Sequence, residues 1–286
     1  MLTPLGRPTI SALGVTQPAD ENAPQWRVRE VLAFFGLTFL LTLPFWAISA
    51  ASGKQFMPGL PIAAIAVLCP ASAALLMVWK RRGGAAAGAL LRHCLDVGRV
   101  KPAASWLLIL LTAPAVSAAA FFILRQSGSG VPDPQFKLLP AIALLALFVV
   151  SAMSEELGWS GFALAPLQAH LGMLPAGLLI GAIWAVWHYP PLMQAHRSVS
   201  WIAWWSLGTV SMRLFMVWLF NSSGCSVFAM AIVHAISNLC WQLFPVQGSW
   251  FDPRINGLIW CGVALIVIST SMRKITPDAA RAKPGT

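Results

Sequence analysis

Five polar residues that could take part in hydrolytic chemistry fall within or at the ends of apolar stretches. Glu155 and Glu156 are adjacent, His188 lies in a second stretch, and His234 and Asn238 lie in a third. His234 and Asn238 are four residues apart, so they share one face of a helix. A charged group at the centre of a membrane span costs at least about 2.5–3.5 kcal/mol. These residues therefore mark a functional site.

The residue types suit hydrolytic chemistry. Carboxylates and imidazoles act as general acids and bases, and amide or imidazole donors stabilise an oxyanion. Glu155 and Glu156 point about 100° apart on a helix, so we expect one to face a cavity and the other to hold neighbouring helices. Taken singly, an intramembrane His or Asn usually bonds to a neighbouring helix, and adjacent glutamates usually form a solvated helix end. Their joint occurrence on three spans favours a site.

The composition indicates lipid as the solvent. The 286 residues are 58% hydrophobic and 10% charged, with a mean hydropathy of +0.73, whereas soluble domains carry about 25% charged residues. We interpret the net charge of +10 as cytoplasmic loops in contact with lipid headgroups, and we expect no nucleic-acid partner. The five cysteines do not have the spacing of a zinc finger or a disulfide framework.

Eight segments are long and apolar enough to cross a bilayer, which takes about 20 residues. The fold class predicted is therefore all-α, a polytopic helical membrane bundle. We expect one transmembrane domain at 29–274, with the site in a core at about 140–245, a flexible N-terminal tail at 1–28 and a basic C-terminal tail at 275–286. The predicted spans are 31–50, 57–79, 105–124, 138–157, 173–193, 201–220, 226–244 and 255–272.

The distribution of basic residues predicts the orientation. Thirteen of the 19 Lys and Arg fall in the tails and loops of one side and five in those of the other. Since basic residues accumulate on the cytoplasmic side, we expect both termini in the cytoplasm. Arg213 lies inside the sixth span, where it either snorkels to the surface or forms an internal ion pair. Trp201 and Trp205 are interpreted as part of an interfacial aromatic belt.

Three motifs resemble those of the CPBP family of intramembrane proteases, which includes the CAAX prenyl endoproteases and bacterial bacteriocin-processing proteins. The family's E-E-x-x-x-R motif is matched by Glu155-Glu156-Leu157-Gly158-Trp159-Ser160. Its F-x-x-x-H motif is matched by Trp184 to His188, with Trp for Phe, and its H-x-x-x-N motif by His234 to Asn238. The resemblance implies an intramembrane endopeptidase of the bacterial inner membrane. Its substrate would be a membrane-associated peptide or protein, of CAAX type or another kind, with or without a lipid anchor.

The resemblance also implies roles for the five residues. Glu155 and His188 would activate a water molecule, His234 and Asn238 would stabilise the oxyanion, and Glu156 would support the site. The family is also named as metalloproteases, so we expect a metalloendopeptidase in which Glu155, His188 and His234 hold a zinc ion, with a metal-free Glu/His mechanism as the alternative.

One departure from the family motifs supports rival interpretations. Ser160 stands where the family has arginine, whose guanidinium would pair with a carboxylate. A catalytically inactive homologue, acting as an immunity or scaffold protein, is the first alternative. A proton-coupled transporter using the same residues as a relay is the second, although no internal repeat accompanies it.

The predicted depths of two site residues disagree. Glu155 falls near the cytoplasmic end of its span, whereas His188 lies about 22 Å from the cytoplasmic end of its own span. Tilted helices, a different helix start near Pro175, or a site nearer the middle of the membrane would each reconcile them.

Overall fold

The chain folds into a helical bundle. The computed structural model describes residues 28–57 and 60–281, so nearly all of the predicted N-terminal tail lies outside the described residues. Ten α-helices run through this part of the chain: α1 Val28–Ser52, α2 Cys69–Arg92, α3 Ser105–Gln126, α4 Leu138–Gly158, α5 Ala165–Leu171, α6 Met173–Trp187, α7 Tyr189–Gln194, α8 Val199–Ser222, α9 Val227–Leu243 and α10 Pro253–Arg281.

Short elements connect or extend these helices. A small antiparallel pair of strands, β1 and β2, joins α1 to the segment before α2. A π-helix joins α4 directly to α5. The short elements are β1 Gln55–Met57, β2 Leu60–Pro61, 3-10 turns Ile62–Leu68, His93–Leu95 and Val97–Arg99, and the π-helix Trp159–Leu164.

The predicted polytopic bundle is confirmed. Seven helical segments in the described ranges are long and apolar enough to cross a membrane, and the shorter apolar helix α9 corresponds to the remaining predicted span. Alternation of all eight would leave both ends on one side. The cytoplasmic location of both termini stays a prediction.

The helical segment that contains the second predicted span continues beyond it. It runs from Ile62 to Leu95 and includes a kink at Gly83, so helix follows the predicted span on the far side of the kink. Gly83 interrupts α2 with a φ of 79°, a conformation that glycine adopts without strain. Ala85, Ala86 and Ala87 then continue the helix because alanine has the highest helix propensity.

The fourth span is also longer than predicted, and this resolves the mismatch in depth. The helical segment continues past Glu155 to Leu171. The π-helix connects α4 to α5, and Pro166 lies in the first turn of α5, a position where proline does not interrupt a helix. Glu155 lies about 24 Å from Leu171, and His188 lies about 22 Å from Met173 at the adjoining end of α6. The two residues therefore lie at a similar depth, near the middle of the helical segment that contains Glu155.

The helices that carry the site pack against one another. Helix α4 lies along α9, and α8 lies along both α6 and α10. On its other side α4 approaches α2 closely at Gly158, where an added Cβ would lie 2.8 Å from both Cβ and the carbonyl oxygen of Pro70. Only glycine permits this approach without displacing backbone.

A buried carboxylate holds the N-terminus of α9 in place. Asp96 accepts hydrogen bonds from the hydroxyl of Ser226 at 2.7 Å and from the backbone amides of Val227 at 3.2 Å and Phe228 at 3.0 Å. Burial alone would raise the pKa of Asp96, but hydrogen bonds from His93, Ser226 and the two amides outweigh it, so the pKa is lowered. These bonds satisfy amides that a helix N-terminus leaves free.

We expect Asp96→Ala to destabilise the protein by about 1–2 kcal/mol, as loss of a helix cap does. Because its pKa is lowered on folding, the stabilisation by Asp96 is complete above its ordinary pKa of about 4 and is lost as the pH falls through the lower folded value. Thermal unfolding in detergent at neutral and acidic pH measures both effects. Asp133→Ala is the control, because its ion pair with Arg125 is exposed and contributes little. Equal melting temperatures for the two variants would contradict the capping role.

Candidate functional site

Glu156 is at the centre of a buried hydrogen-bond network that joins three helices and the π-helix. The carboxylate of Glu156 has no exposed surface. It accepts two parallel bonds of 2.8 Å from Nη1 and Nη2 of Arg213 on α8. Its Oε2 also accepts a bond from the hydroxyl of Ser160, and its Oε1 lies 3.2 Å from Nδ1 of His234 on α9. Every strong acceptor position of Glu156 is therefore directed at a donor.

Glu155 contacts a different helix, as expected from the angle between consecutive residues. It is 2% exposed, and its Oε2 accepts a 2.7 Å hydrogen bond from the indole nitrogen of Trp184 on α6. The same indole ring lies under the guanidinium of Arg213, with 4.3 Å between Cζ and the ring centroid. Trp184 therefore links the two glutamates through a hydrogen bond on one side and a cation–π contact on the other.

His188 lies at the end of α6 with a defined tautomer. Its Nδ1 is 2.8 Å from the backbone carbonyl oxygen of Trp184. Because a carbonyl oxygen only accepts, Nδ1 must carry the proton, and in the neutral ring Nε2 keeps its lone pair. The ring packs between Trp187 and Trp205, with centroids at 4.8 and 5.3 Å. Nε2 of His188 is thus available as a base.

His234 is fixed in a similar way. Its Nδ1 faces the carboxylate of Glu156 and so donates to it. The imidazole packs edge to face on Trp184 at a centroid distance of 4.9 Å. Asn238 lies one turn further along α9, on the same helix face.

A cavity of about 80 Å³ brings the two histidines and the asparagine together. Its wall includes His188, His234 and Asn238, with Trp184 beside them. Trp205, interpreted from sequence as part of an interfacial belt, forms part of this wall as well. Neither glutamate lines the cavity; Glu155 is connected to it through Trp184. The volume suffices for water molecules but not for a folded peptide segment.

Part of the chain is similar to known proteins. Residues 137–240 match the family model described as type II CAAX prenyl endopeptidase Rce1-like. A curated relative, CAAX prenyl protease 2 of Methanococcus maripaludis, is 25% identical over 176 residues, which cover 56% of this chain and 64% of the relative. The resemblance to the CPBP family is confirmed. The matched CPBP segment contains all five predicted site residues, and the chain covers less than two thirds of the length of that relative.

The structure assigns a place to the residue that departs from the CPBP motif. Ser160 bonds to Glu156 and lies 3.4 Å from Nη1 of Arg213. Of the two expectations for Arg213, the internal ion pair is correct and snorkelling is wrong, since the side chain is 1% exposed. Glu156 is therefore paired with the guanidinium of Arg213, although serine occupies the arginine position of the motif.

The expected zinc ligands are Glu155, His188 and His234. Among the described residues, no group of three or more His, Cys, Asp or Glu side chains is arranged to hold a metal ion. The hydrogen bonds of Glu155 to Trp184 and of His234 to Glu156 engage one polar atom of each of these two side chains. The mechanism below is derived from the side chains alone, and zinc stays a prediction.

Two residues of this site were not assigned from sequence. Trp184 was noted as the aromatic residue of the F-x-x-x-H motif and for its spacing of four from His188, without a functional role. Its hydrogen bond to Glu155 joins residues that are 29 positions apart. Arg213 was noted only as a charge within a span, and its partner is 57 positions away. An intramembrane charge is the one signal that pointed to it.

Proposed function

We propose that this chain is an intramembrane endopeptidase that hydrolyses a peptide bond of a membrane-associated substrate. The observation that carries the proposal is the joint placement of His188, His234 and Asn238 around one cavity, backed by Glu155 and Glu156. Peptide hydrolysis requires a base for water and donors for the oxyanion, and these groups supply both.

In the proposed mechanism, His188 and Glu155 activate the water molecule. The lone pair of Nε2 on His188 accepts a proton from water as the oxygen attacks the scissile carbonyl carbon, and the proton then passes to the leaving amine. Glu155 provides the negative charge that stabilises the imidazolium of His188 during this transfer.

Oxyanion stabilisation falls to His234 and Asn238. With Nδ1 of His234 donating to Glu156, a second donor at Nε2 requires the imidazolium form of the ring. Arg213, Glu156 and His234 then carry two positive charges and one negative charge. This surplus positive charge lies behind the cavity, where it favours the developing oxyanion. The side-chain amide of Asn238 supplies the other donor.

The substrate class proposed is a peptide presented at the membrane. The similar protein is named a CAAX prenyl protease, and a lipid-anchored peptide reaches a site within a helical bundle from the bilayer. Membrane lipid is the other proposed partner. The experiment below distinguishes a prenylated peptide from an unprenylated leader peptide or membrane protein as the substrate.

The test uses the purified chain in proteoliposomes with two matched fluorogenic peptides, one prenylated at cysteine and one unmodified. Mass spectrometry of the products identifies the bond broken. In parallel, peptides that accumulate in membranes of cells carrying Glu155→Ala are compared with those of wild-type cells. Cleavage of neither peptide, together with identical membrane peptide profiles, would reject the proposal.

The position of Arg213 beside Ser160 argues against the alternative of an inactive homologue. The missing motif guanidinium was the reason to expect inactivity, and a guanidinium is bonded to Glu156. The transporter alternative gains no specific observation from the contacts of these residues.

A chelator experiment tests the metal-free form of the mechanism. Because the described residues contain no group of three or more His, Cys, Asp or Glu side chains arranged for a metal ion, we expect activity of the purified protein to survive prolonged dialysis against a strong chelator. The measurement is turnover before and after dialysis, with metal content determined by mass spectrometry. Loss of activity that added zinc restores would show that Glu155, His188 and His234 rearrange to bind a metal.

A further inference from the structure

Position 160 and position 213 meet at the same carboxylate. Ser160 lies one helical turn beyond Glu156, on the π-helix, and its hydroxyl bonds to Oε2. Nη1 of Arg213 bonds to that same oxygen at 2.8 Å and lies 3.4 Å from the hydroxyl of Ser160. The Arg213 guanidinium therefore occupies the space through which a longer side chain at position 160 would reach Glu156.

The surroundings of Arg213 are shaped for it. On the facing helix, a Cβ added to Gly181 would lie 3.2 Å from Cβ of Arg213 and 3.2 Å from Cα of Val210, so glycine leaves room for the arginine stem. The guanidinium stacks on Trp184 at 4.3 Å. Two parallel hydrogen bonds to Glu156 fix its plane.

We infer that Arg213 is a positioning residue that replaces, from α8, the arginine that the E-E-x-x-x-R motif places at position 160. It neutralises Glu156 and fixes its Oε1 against Nδ1 of His234. Serine at 160 is then a complement to Arg213, because a small hydroxyl leaves space for the guanidinium and donates to the same carboxylate. The role in turnover rests on the proposed peptidase function; the relocation of the guanidinium does not.

The inference is tested by moving the guanidinium back. Four proteins are compared in detergent and in proteoliposomes: wild type, Arg213→Ser, Ser160→Arg, and the double variant Ser160→Arg/Arg213→Ser. Arg213→Ser leaves a buried carboxylate without its cation, and Ser160→Arg adds a second cation to a filled space, so each single change lowers the melting temperature. The double variant restores one guanidinium to one carboxylate, and we expect its melting temperature to recover. Arg254→Ser is the control, since that arginine is exposed and contacts Asp252.

Turnover separates positioning from stability. Residues that orient metal ligands contribute about 10–100-fold to activity. Arg213 orients Glu156 and His234 in a comparable way, so we expect Arg213→Ser to lower kcat by about that factor with KM little changed. Arg213→Lys keeps the charge without the two parallel bonds and should give an intermediate kcat. The double variant should regain turnover together with stability.

Several results would overturn the inference. A folded Arg213→Ser protein with full kcat would remove the positioning role while leaving the peptidase function intact. A double variant that regains stability without turnover would show that the arginine only stabilises the fold. If the wild-type protein cleaves no substrate, the proposed peptidase function is wrong. The melting temperatures then test only the relocation of the guanidinium from position 160 to position 213. Recovery of the melting temperature in the double variant supports the relocation, and absence of recovery overturns it.

Discussion

Replacing Glu155 by glutamine should reduce kcat by about 10²–10⁴-fold, the range that general acid–base catalysis contributes, because the proton transfer through His188 depends on the charge of Glu155. Glutamine keeps an oxygen that accepts the indole hydrogen bond of Trp184, which is 2.7 Å long in the native protein. It removes the negative charge that stabilises the imidazolium of His188 during proton transfer. Steady-state kinetics of the reconstituted protein on the cleaved peptide measures the loss.

The control for this change lies on the same helix. Ser154 is adjacent to Glu155, and its hydroxyl bonds only to the backbone of Val150 one turn earlier. Ser154→Ala should therefore keep wild-type turnover and wild-type membrane abundance. If Glu155→Gln retained most of its kcat at normal abundance, Glu155 would have no part in water activation, and His188 alone would be the base.

The sequence was sufficient to predict the spans and the set of polar residues. Both follow from local properties. About 20 apolar residues define a crossing, and an ionisable residue inside a crossing indicates a functional site because its insertion into the membrane costs much free energy. The four-residue spacing of His234 and Asn238 also gave their shared helix face directly. These predictions needed no knowledge of which helices are neighbours.

The features that the sequence left open or misplaced depend on contacts between distant helices or on how a helix continues. Glu156 and Arg213 meet because α4 and α8 lie on either side of the site, and nothing in their local sequences specifies that arrangement. The π-helix Trp159–Leu164 extends the fourth span where the two adjacent glutamates suggested an end. That extension placed Glu155 at the depth of His188. The Asp96 contact with α9 joins a loop to a helix that is 130 positions away.

Replacing Asn238 should affect the oxyanion and leave substrate binding nearly unchanged. Asn238→Ala removes one donor, and loss of one oxyanion donor costs about 10²–10³-fold in kcat. Asn238→Asp keeps the shape of the side chain but places an acceptor with negative charge where the oxyanion forms, so its kcat should be at least as low as that of the alanine variant. KM should change little for Asn238→Ala, because the lost interaction forms only in the transition state.

The neighbouring residue provides the comparison for Asn238. Ser237 lines the same cavity, and Ser237→Ala should retain turnover because its hydroxyl has no role in the proposed mechanism. Removing His234 together with Asn238 should cost less than the product of the single effects, since donors acting on one oxyanion behave as a unit. A raised KM with unchanged kcat in Asn238→Ala would instead place this amide in substrate binding. His234 would then be the remaining side-chain donor to the oxyanion, with the paired charges of Arg213 and Glu156 behind it.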